Sequence, residues 1–67
     1  MKRNYVLIGF RLENKLSQSE MAKTLGVSQS LLSCLENGMR EPSFQLAKKI
    51  ADEIDVELAV VFPKYRI

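Results

Sequence analysis

Apolar positions with helical spacing are most regular near the middle of the chain. Ser17 and Glu20 have the spacing of a capping box, which predicts a helix that begins at Gln18. Apolar residues then recur at helical spacing, and Gly26 follows, where glycine can supply the left-handed backbone that ends a helix. The pattern therefore predicts a helix over residues 18–25 and a tight turn after it.

A second helix is predicted directly after this turn. Ser28 is a good N-cap, three leucines repeat at helical spacing behind it, and Asn37 and Gly38 close the segment. The small side chain of Ala22 would let the second helix cross the first closely. Two short helices joined by a tight turn are therefore predicted over residues 18–37.

The flanking segments also have helical periodicity. Residues 5–15 carry nearly two apolar faces, so we expect the C-terminal tail or a second subunit to cover one of them. Gly9 in this helix costs roughly 1 kcal/mol and suggests that a neighbour approaches closely. Ser43 is predicted to cap a further helix, which runs to about Glu53 with a core-facing stripe that begins at Phe44.

The C-terminal end carries two further signals. Residues 58–62 form an apolar segment whose outer side lacks polar residues, which suggests a dimer contact. Residues 64–67 alternate between polar and apolar, which is typical of a strand. We expect this strand to pair with the extended N-terminal residues 2–5 and to cover the second apolar face of the first helix.

The central pattern resembles the helix-turn-helix of the lambda-repressor-like family, also called the Cro/C1 or xenobiotic-response-element type. The matching residues are Gln18, Ala22, Gly26, Val27, Leu32, Leu35 and the Glu36-Asn37-Gly38 end. Arg40, Pro42, Ser43 and the helix after them also resemble the family, so the match covers roughly residues 7–62. The resemblance implies an all-α fold, a compact DNA-binding domain of four to five helices. Glu57 departs from the family, which usually has a serine or similar cap before its fifth helix.

Composition narrows the class of protein. A chain of 67 residues has room for one domain with one small core, so residues 1–67 are predicted to form a single domain. There is no histidine, one cysteine, no glycine-rich phosphate loop and no nucleophile beside a base, which argues against an enzyme, a metal site or a cofactor. No small-molecule ligand is expected either. The sequence has neither a transmembrane run nor a secretory signal, so a cytoplasmic location without membrane contact is expected.

The net charge of +2 is distributed unevenly along the chain. Residues 1–49 carry eight Lys or Arg and four Asp or Glu, whereas residues 50–67 carry two and four. The late acidic cluster is therefore predicted to face away from a phosphate backbone, the alternative being an ordinary solvated helix end.

The outer face of the second helix of the motif is short, polar and uncharged, which suits the donors and acceptors of a DNA major groove. By resemblance, the residues that read bases are Gln29, Ser30, Ser33 and Cys34. A solvated face, the alternative, usually carries Lys and Glu, and this one carries neither. Cys34 is expected to pack against a thymine methyl group, with a redox switch as the alternative.

The resemblance also implies contacts to DNA phosphates and one ion pair. The predicted phosphate contacts are Gln18, Lys23, Ser28, Asn37 and Arg40. Gln18 begins a helix, where the dipole favours an anion, whereas Lys23 is as readily an ordinary solvated lysine. Glu41 departs from this pattern because an acid near phosphate weakens binding. In the family, an arginine at the place of Arg11 pairs with the glutamate that is Glu36 here, the alternative being two unrelated surface charges.

The sequence therefore predicts a bacterial or phage transcriptional regulator, a homodimeric repressor that binds double-stranded DNA at a near-palindromic operator. Two recognition helices would enter successive major grooves roughly 34–36 Å apart. The dimerisation surface is assigned to residues 56–67 with part of 1–12. Its predicted contacts are Leu58, Val60, Val61, Phe62 and Tyr65. The alternative is the antitoxin half of a toxin–antitoxin pair, in which residues 58–62 bind a partner protein.

Overall fold

The computed structural model describes residues 2–65, which form five α-helices and one 3-10 turn. The elements are α1 (Tyr5–Glu13), α2 (Gln18–Leu25), α3 (Gln29–Glu36), α4 (Phe44–Ile54), α5 (Leu58–Val61) and the 3-10 turn Pro63–Tyr65. No strand occurs within residues 2–65. The all-α fold predicted from the sequence is therefore confirmed.

Side-chain caps fix where the first four helices begin. The capping residues are Asn4, Ser17, Ser28 and Ser43, and each accepts a hydrogen bond from a backbone N–H of the first helical turn. The capping box of α2 is complete, since Glu20 also accepts from the Ser17 backbone N–H at 2.8 Å. Hydrogen bonds from the backbone and side chain of Ser17 lower the pKa of the Glu20 carboxyl. Only α5 lacks such a bond among these helices, in keeping with Glu57 at its cap position.

The turn between α2 and α3 depends on one glycine and one alanine. Gly26 has φ +72°, the left-handed conformation that ends α2, and its N–H donates to the Ala22 and Lys23 carbonyl oxygens. The Val27 N–H then donates to the Ala22 carbonyl oxygen at 3.0 Å. Ala22 is buried, so α3 packs closely across α2. This turn sets the angle at which α3 is presented.

One hydrophobic core lies among the five helices. Its buried residues are Leu7, Met21, Ala22, Leu25, Leu32, Leu35, Ala47, Ile50, Ala51, Ile54, Val61 and Phe62. Every helix contributes at least one of these side chains, so α3 is supported from behind along its length.

The strand prediction for the C-terminal tail is wrong for the residues that the structure describes. Lys64 and Tyr65 belong to a 3-10 turn, in which the Tyr65 N–H donates to the Phe62 carbonyl oxygen at 3.0 Å. Pro63 favours this turn because its fixed φ suits the first position of a helical turn. The Tyr65 hydroxyl also donates to the Pro42 carbonyl oxygen, which directs the chain back over the core. The remainder of the predicted strand, residues 66–67, lies outside the described residues.

The N-terminal residues pack against the end of α3 instead of against a tail strand. The Asn4 N–H donates to the Glu36 carbonyl oxygen at 2.7 Å, and the Asn4 side-chain amide donates to the Val61 carbonyl oxygen at 2.7 Å. The second apolar face of α1 consequently stays uncovered by residues 2–65, and Tyr5 and Leu12 are 72% and 61% exposed.

Phe44 also differs from its predicted place in the core. It opens α4 at the rim of the fold and is 55% exposed. Its ring meets the edge of the Tyr65 ring, with centroids 5.7 Å apart. Phe44 is the first residue of α4. Helical periodicity predicts which face of a helix a residue lies on, but it does not predict how deeply the end of that helix is buried, which explains the error.

Two glycines should respond oppositely to replacement by alanine. At Gly9 a Cβ atom would have no neighbour within 4 Å, so the close approach predicted there is absent among the described residues. Gly9→Ala should therefore raise the free energy of unfolding by about 0.5–1 kcal/mol through helix propensity.

At Gly38, with φ +72°, a Cβ atom would lie 1.9 Å from the Lys2 carbonyl oxygen. Gly38→Ala should lower the free energy by at least about 1–3 kcal/mol.

Urea unfolding followed by circular dichroism at fixed protein concentration measures both effects. A destabilising Gly9→Ala, or a Gly38→Ala variant as stable as the parent, would contradict the packing described for α1 and for the end of α3.

Candidate nucleic-acid interface

The outer face of α3 presents the residues that the sequence assigned to base reading. Gln29 and Ser30 are exposed, whereas Ser33 and Cys34 are half-buried. Residues four apart on a helix lie one turn above each other, so Gln29 aligns with Ser33 and Ser30 with Cys34. The opposite side of α3 carries buried leucines. The four side chains thus form two short, uncharged polar rows on a rigidly supported helix.

Asn37 closes the C-terminal end of this face. Its side-chain amide donates to the Ser33 carbonyl oxygen at 2.9 Å and lies 3.4 Å from the Ser33 hydroxyl oxygen. The amide is therefore a second donor to the Ser33 carbonyl oxygen, which also accepts from the Asn37 backbone N–H at 3.0 Å. Asn37 is half-buried, and its role in the described structure is to finish α3 and orient Ser33.

A buried carboxylate ties α3 to the helices behind it. Glu36 is 2% exposed, and its Oε2 atom accepts from Arg11 Nε at 2.8 Å. Its Oε1 atom accepts from Gln18 Nε2 at 3.0 Å and from Arg11 Nη2 at 3.4 Å. The Arg11 Nη1 atom donates to the Leu16 carbonyl oxygen at 3.2 Å. The ion pair implied by the resemblance is thus present as part of a network that joins α1, the start of α2 and the end of α3.

The same network positions Gln18 at the N-terminus of α2. Its side-chain amide is engaged with Glu36, so it is held rather than free in solvent. The backbone N–H groups of Gln18 and Ser19 open the helix and have no acceptor within it. Such N–H groups, together with the helix dipole, favour an anion at this point. The geometry is therefore suited to one phosphate at the start of α2.

The other predicted phosphate contacts lie on the surface around α3. Lys23 on α2 and Arg40 in the loop after α3 are exposed. Ser28 caps α3, where its hydroxyl oxygen accepts from the Leu31 N–H at 3.0 Å and keeps its own hydrogen available to donate. Glu41, the acid that departs from the family pattern, is exposed and follows Arg40 in the chain.

Two cations that the sequence analysis left unassigned also lie near this surface. Lys2 and Arg3 are exposed and line a groove of about 450 Å³ together with Arg40 and Lys64. The sequence could have signalled them only through their basic character, because the contact that places them there joins residues far apart in the chain.

The predicted dimer residues divide between surface and core. Val60 is 54% exposed, and Leu58 and Tyr65 are half-buried. Val61 and Phe62 are almost completely buried within the same chain, so they cannot form a dimer contact in this fold. Their assignment was wrong because α5 is a short amphipathic helix whose inner side completes the core. The exposed Tyr5 lies beside Val60 in the same groove and adds to the apolar surface there.

The described residues offer neither a metal site nor a membrane span. Within residues 2–65, no group of three or more His, Cys, Asp or Glu side chains is arranged to hold a metal ion. No helix in this part of the chain has the length and apolar character needed to cross a bilayer.

Comparison with known proteins identifies the family. The helix-turn-helix family profile matches residues 9–61, which include α2 and α3 and the network around Glu36. The chain therefore belongs to the Cro/C1-type helix-turn-helix family of DNA-binding transcriptional regulators, and the lambda-repressor-like fold is confirmed.

Individual relatives agree with this assignment. The chain is 45% identical over 51 residues to the ImmF control region 10 kDa protein of Bacillus phage phi105, across 76% of this chain and 57% of the phage protein. It is 38% identical over 53 residues to an HTH-type transcriptional regulator of Methanocaldococcus jannaschii, across 79% and 80%. It is 33% identical over 52 residues to the HTH-type transcriptional regulator YqaF of Bacillus subtilis, across 78% and 68%. No solved structure shows a significant match.

Removing one partner of the buried ion pair should strongly destabilise the fold. Arg11→Ala leaves Glu36 buried without its cation, so the free energy of unfolding should fall by about 3–5 kcal/mol. The double variant Arg11→Met/Glu36→Leu removes both charges and should regain most of this loss. Lys15→Ala, an exposed lysine near the end of α1, is the control and should change stability by less than about 0.5 kcal/mol.

Urea unfolding of the four proteins measures these differences. Equal stabilities for Arg11→Ala and Lys15→Ala would show that the pair contributes nothing beyond a surface contact.

Proposed function

We propose that this chain is a homodimeric repressor that reads a near-palindromic operator through the major groove. The observation that carries the proposal is the uncharged polar outer face of α3, supported by buried leucines and fixed at its end by the network around Glu36. A helix held in this way can place short side chains against base edges with little loss of order on binding.

Gln29 is the main candidate for base recognition. It lies in the first turn of α3, its side chain is exposed, and its amide can form two hydrogen bonds with N6 and N7 of adenine. Ser30 and Ser33 can contact several bases, and Cys34 offers a small apolar surface for a thymine methyl group.

The phosphate contacts would hold this reading face in register. The start of α2 at Gln18 offers backbone N–H groups, and Lys23, Ser28 and Arg40 are exposed around the same helices. Contacts of this kind fix orientation on the duplex without reading sequence. Asn37 would contribute chiefly by ordering the end of α3.

Dimerisation is proposed at the apolar surface formed by the exposed Val60 and the half-buried Leu58 of α5 together with the exposed Tyr5 of α1. Domains of this small size often gain stability by association. Two copies would place their α3 helices roughly 34–36 Å apart, one turn of DNA. Occlusion of a promoter by such a dimer, in the cytoplasm, is the simplest route to repression.

The antitoxin alternative has less support. It requires residues 58–62 to bind another protein, yet Val61 and Phe62 are buried within their own chain. The phage relative is named for a control region, which is in keeping with a regulator of transcription.

Selection of binding sites from randomised duplex DNA at physiological salt tests base reading. We expect a palindrome with half-sites one turn apart. Gln29→Ala should relax the preference at one base position per half-site and weaken binding by about 1–3 kcal/mol there. Gln45→Ala, an exposed glutamine on α4, is the matched control and should leave both unchanged. Enrichment of the same sequence by Gln29→Ala and the parent would refute the role of Gln29.

Sedimentation equilibrium over a range of concentrations tests the dimer. Val60→Glu places a charge in the proposed interface and should raise the dimer dissociation constant at least roughly tenfold, which corresponds to about 1.4 kcal/mol. Gln45→Glu introduces the same charge on α4 and should have no such effect. A parent protein that stays monomeric, or equal constants for the two variants, would rule out this interface.

A further inference from the structure

The first described residues lie extended across the C-terminal end of α3. The Asn4 N–H donates to the Glu36 carbonyl oxygen at 2.7 Å, so the segment 2–4 approaches the last turn of the recognition helix along its backbone. Two positions earlier, the Lys2 carbonyl oxygen lies so close to Gly38 that a Cβ atom there would be 1.9 Å from it. Only glycine allows this approach of one backbone to another.

Asn4 holds the segment 2–4 in place from the other side. Its Oδ1 atom accepts from the Leu7 N–H at 3.1 Å, which caps α1, while its Nδ2 atom donates to the Val61 carbonyl oxygen at 2.7 Å. With the backbone bond to Glu36, Asn4 is hydrogen-bonded to three different helices, α1, α3 and α5. The path of the segment is therefore fixed by its backbone and by Asn4, which leaves the Lys2 and Arg3 side chains exposed.

Four cations and one carboxylate line the groove beside the segment 2–4, namely Lys2, Arg3, Arg40, Lys64 and Glu41. The rest of the lining is mainly apolar and includes the proposed dimer contacts Tyr5 and Val60, so the cations lie at the edge of that apolar surface. Within residues 2–65, none of these cations forms an ion pair. The acidic residues 52–57 lie on α4 and in the link to α5 and do not line this groove.

Positive charge near the C-terminal end of α3 would offset the partial negative charge of that helix end. The C-terminal end of a helix carries partial negative charge and repels phosphate, whereas the N-terminal end of α2 attracts it. A phosphate near the end of α3 therefore needs cations from another segment. Lys2 and Arg3 are brought to that end by the contact with Gly38, and Arg40 follows it in the chain.

We propose that Lys2 and Arg3 bind the sugar–phosphate backbone of duplex DNA beside the bases read by α3. Together with Arg40 they form a phosphate clamp at the C-terminal end of the recognition helix. The clamp uses residues other than those of the phosphate site at the start of α2. This inference rests on the proposed DNA binding and adds to it two residues that the sequence pattern did not assign.

The salt dependence of binding measures this clamp directly. Each phosphate neutralised contributes about 0.9 to the slope of log K against log salt concentration. Because each subunit of the proposed dimer contributes both residues, Lys2→Gln/Arg3→Gln should lower the slope for dimer binding by about 3.6, so that the parent loses roughly 150-fold more affinity than the variant between about 0.05 and 0.2 M salt. Preference for the selected site over a scrambled duplex should stay unchanged, because phosphate contacts carry no sequence information.

Two further variants separate a phosphate contact from a change in net charge or in folding. Lys48→Gln/Lys49→Gln removes the same charge from α4, beside Asp52 and Glu53, and should leave the slope nearly unchanged. Lys2→Arg/Arg3→Lys keeps the charges and should retain the parent slope. All variants should melt at the same temperature as the parent, since the segment 2–4 is anchored by its backbone and not by these side chains.

Fluorescence anisotropy of the full chain with its selected duplex, at several salt concentrations, provides the slopes. A slope lowered only by Lys2→Gln/Arg3→Gln supports the clamp. Equal slopes for the two glutamine double variants, with site-specific binding intact, would overturn the clamp alone. A parent chain with no salt-dependent DNA binding would overturn both the clamp and the proposed function.

Discussion

The carboxylate of Glu36 is the group on which the arrangement of the helices depends. A buried charge is costly unless it is paired and fully hydrogen-bonded, so its partners are constrained in position. Arg11 from α1 and Gln18 from α2 meet this requirement with donors at 2.8 and 3.0 Å, and Arg11 also fixes the loop through Leu16. The interaction therefore orients the start of α2 and the end of α3 relative to each other, and these two elements belong to the proposed DNA-binding surface.

The main chain at Glu36 extends this arrangement to the beginning of the protein. While the carboxylate faces Arg11 and Gln18, the carbonyl oxygen accepts from Asn4, whose side chain reaches α5. Glu36 thus joins α3 to α1 and α2 through its side chain and to the N-terminal segment through its backbone. Because Gly38 has no side chain, the Lys2 backbone packs against it and covers the C-terminal end of α3.

Local signals explain which parts of the fold were predictable. The bounds of α2 match the prediction because a capping box and a left-handed glycine mark its two ends within the sequence itself. The pairing of Arg11 with Glu36 was predicted from resemblance to the family, since the spacing of residues 25 positions apart does not predict a contact between them.

The failed predictions concern the two ends of the chain. Four alternating residues were too short a pattern to predict a strand at the tail, where Pro63 and the Tyr65 hydroxyl favour a turn. The contacts of the segment 2–4 with the end of α3 could not be predicted either, because hydrophobic periodicity carries no information on backbone contacts between residues far apart in the chain.

Because Gln29 and Ser30 are exposed, the residues proposed to read bases are separate from those that stabilise the fold. Within residues 2–65 their side chains lie outside the hydrophobic core, while the leucines on the other side of α3 carry the packing. Substitutions on the outer face therefore cost little stability and leave the scaffold intact. If the outer face reads bases as proposed, the protein can evolve towards new target sequences by small steps, and engineered regulators could be made by exchanging only the outer residues.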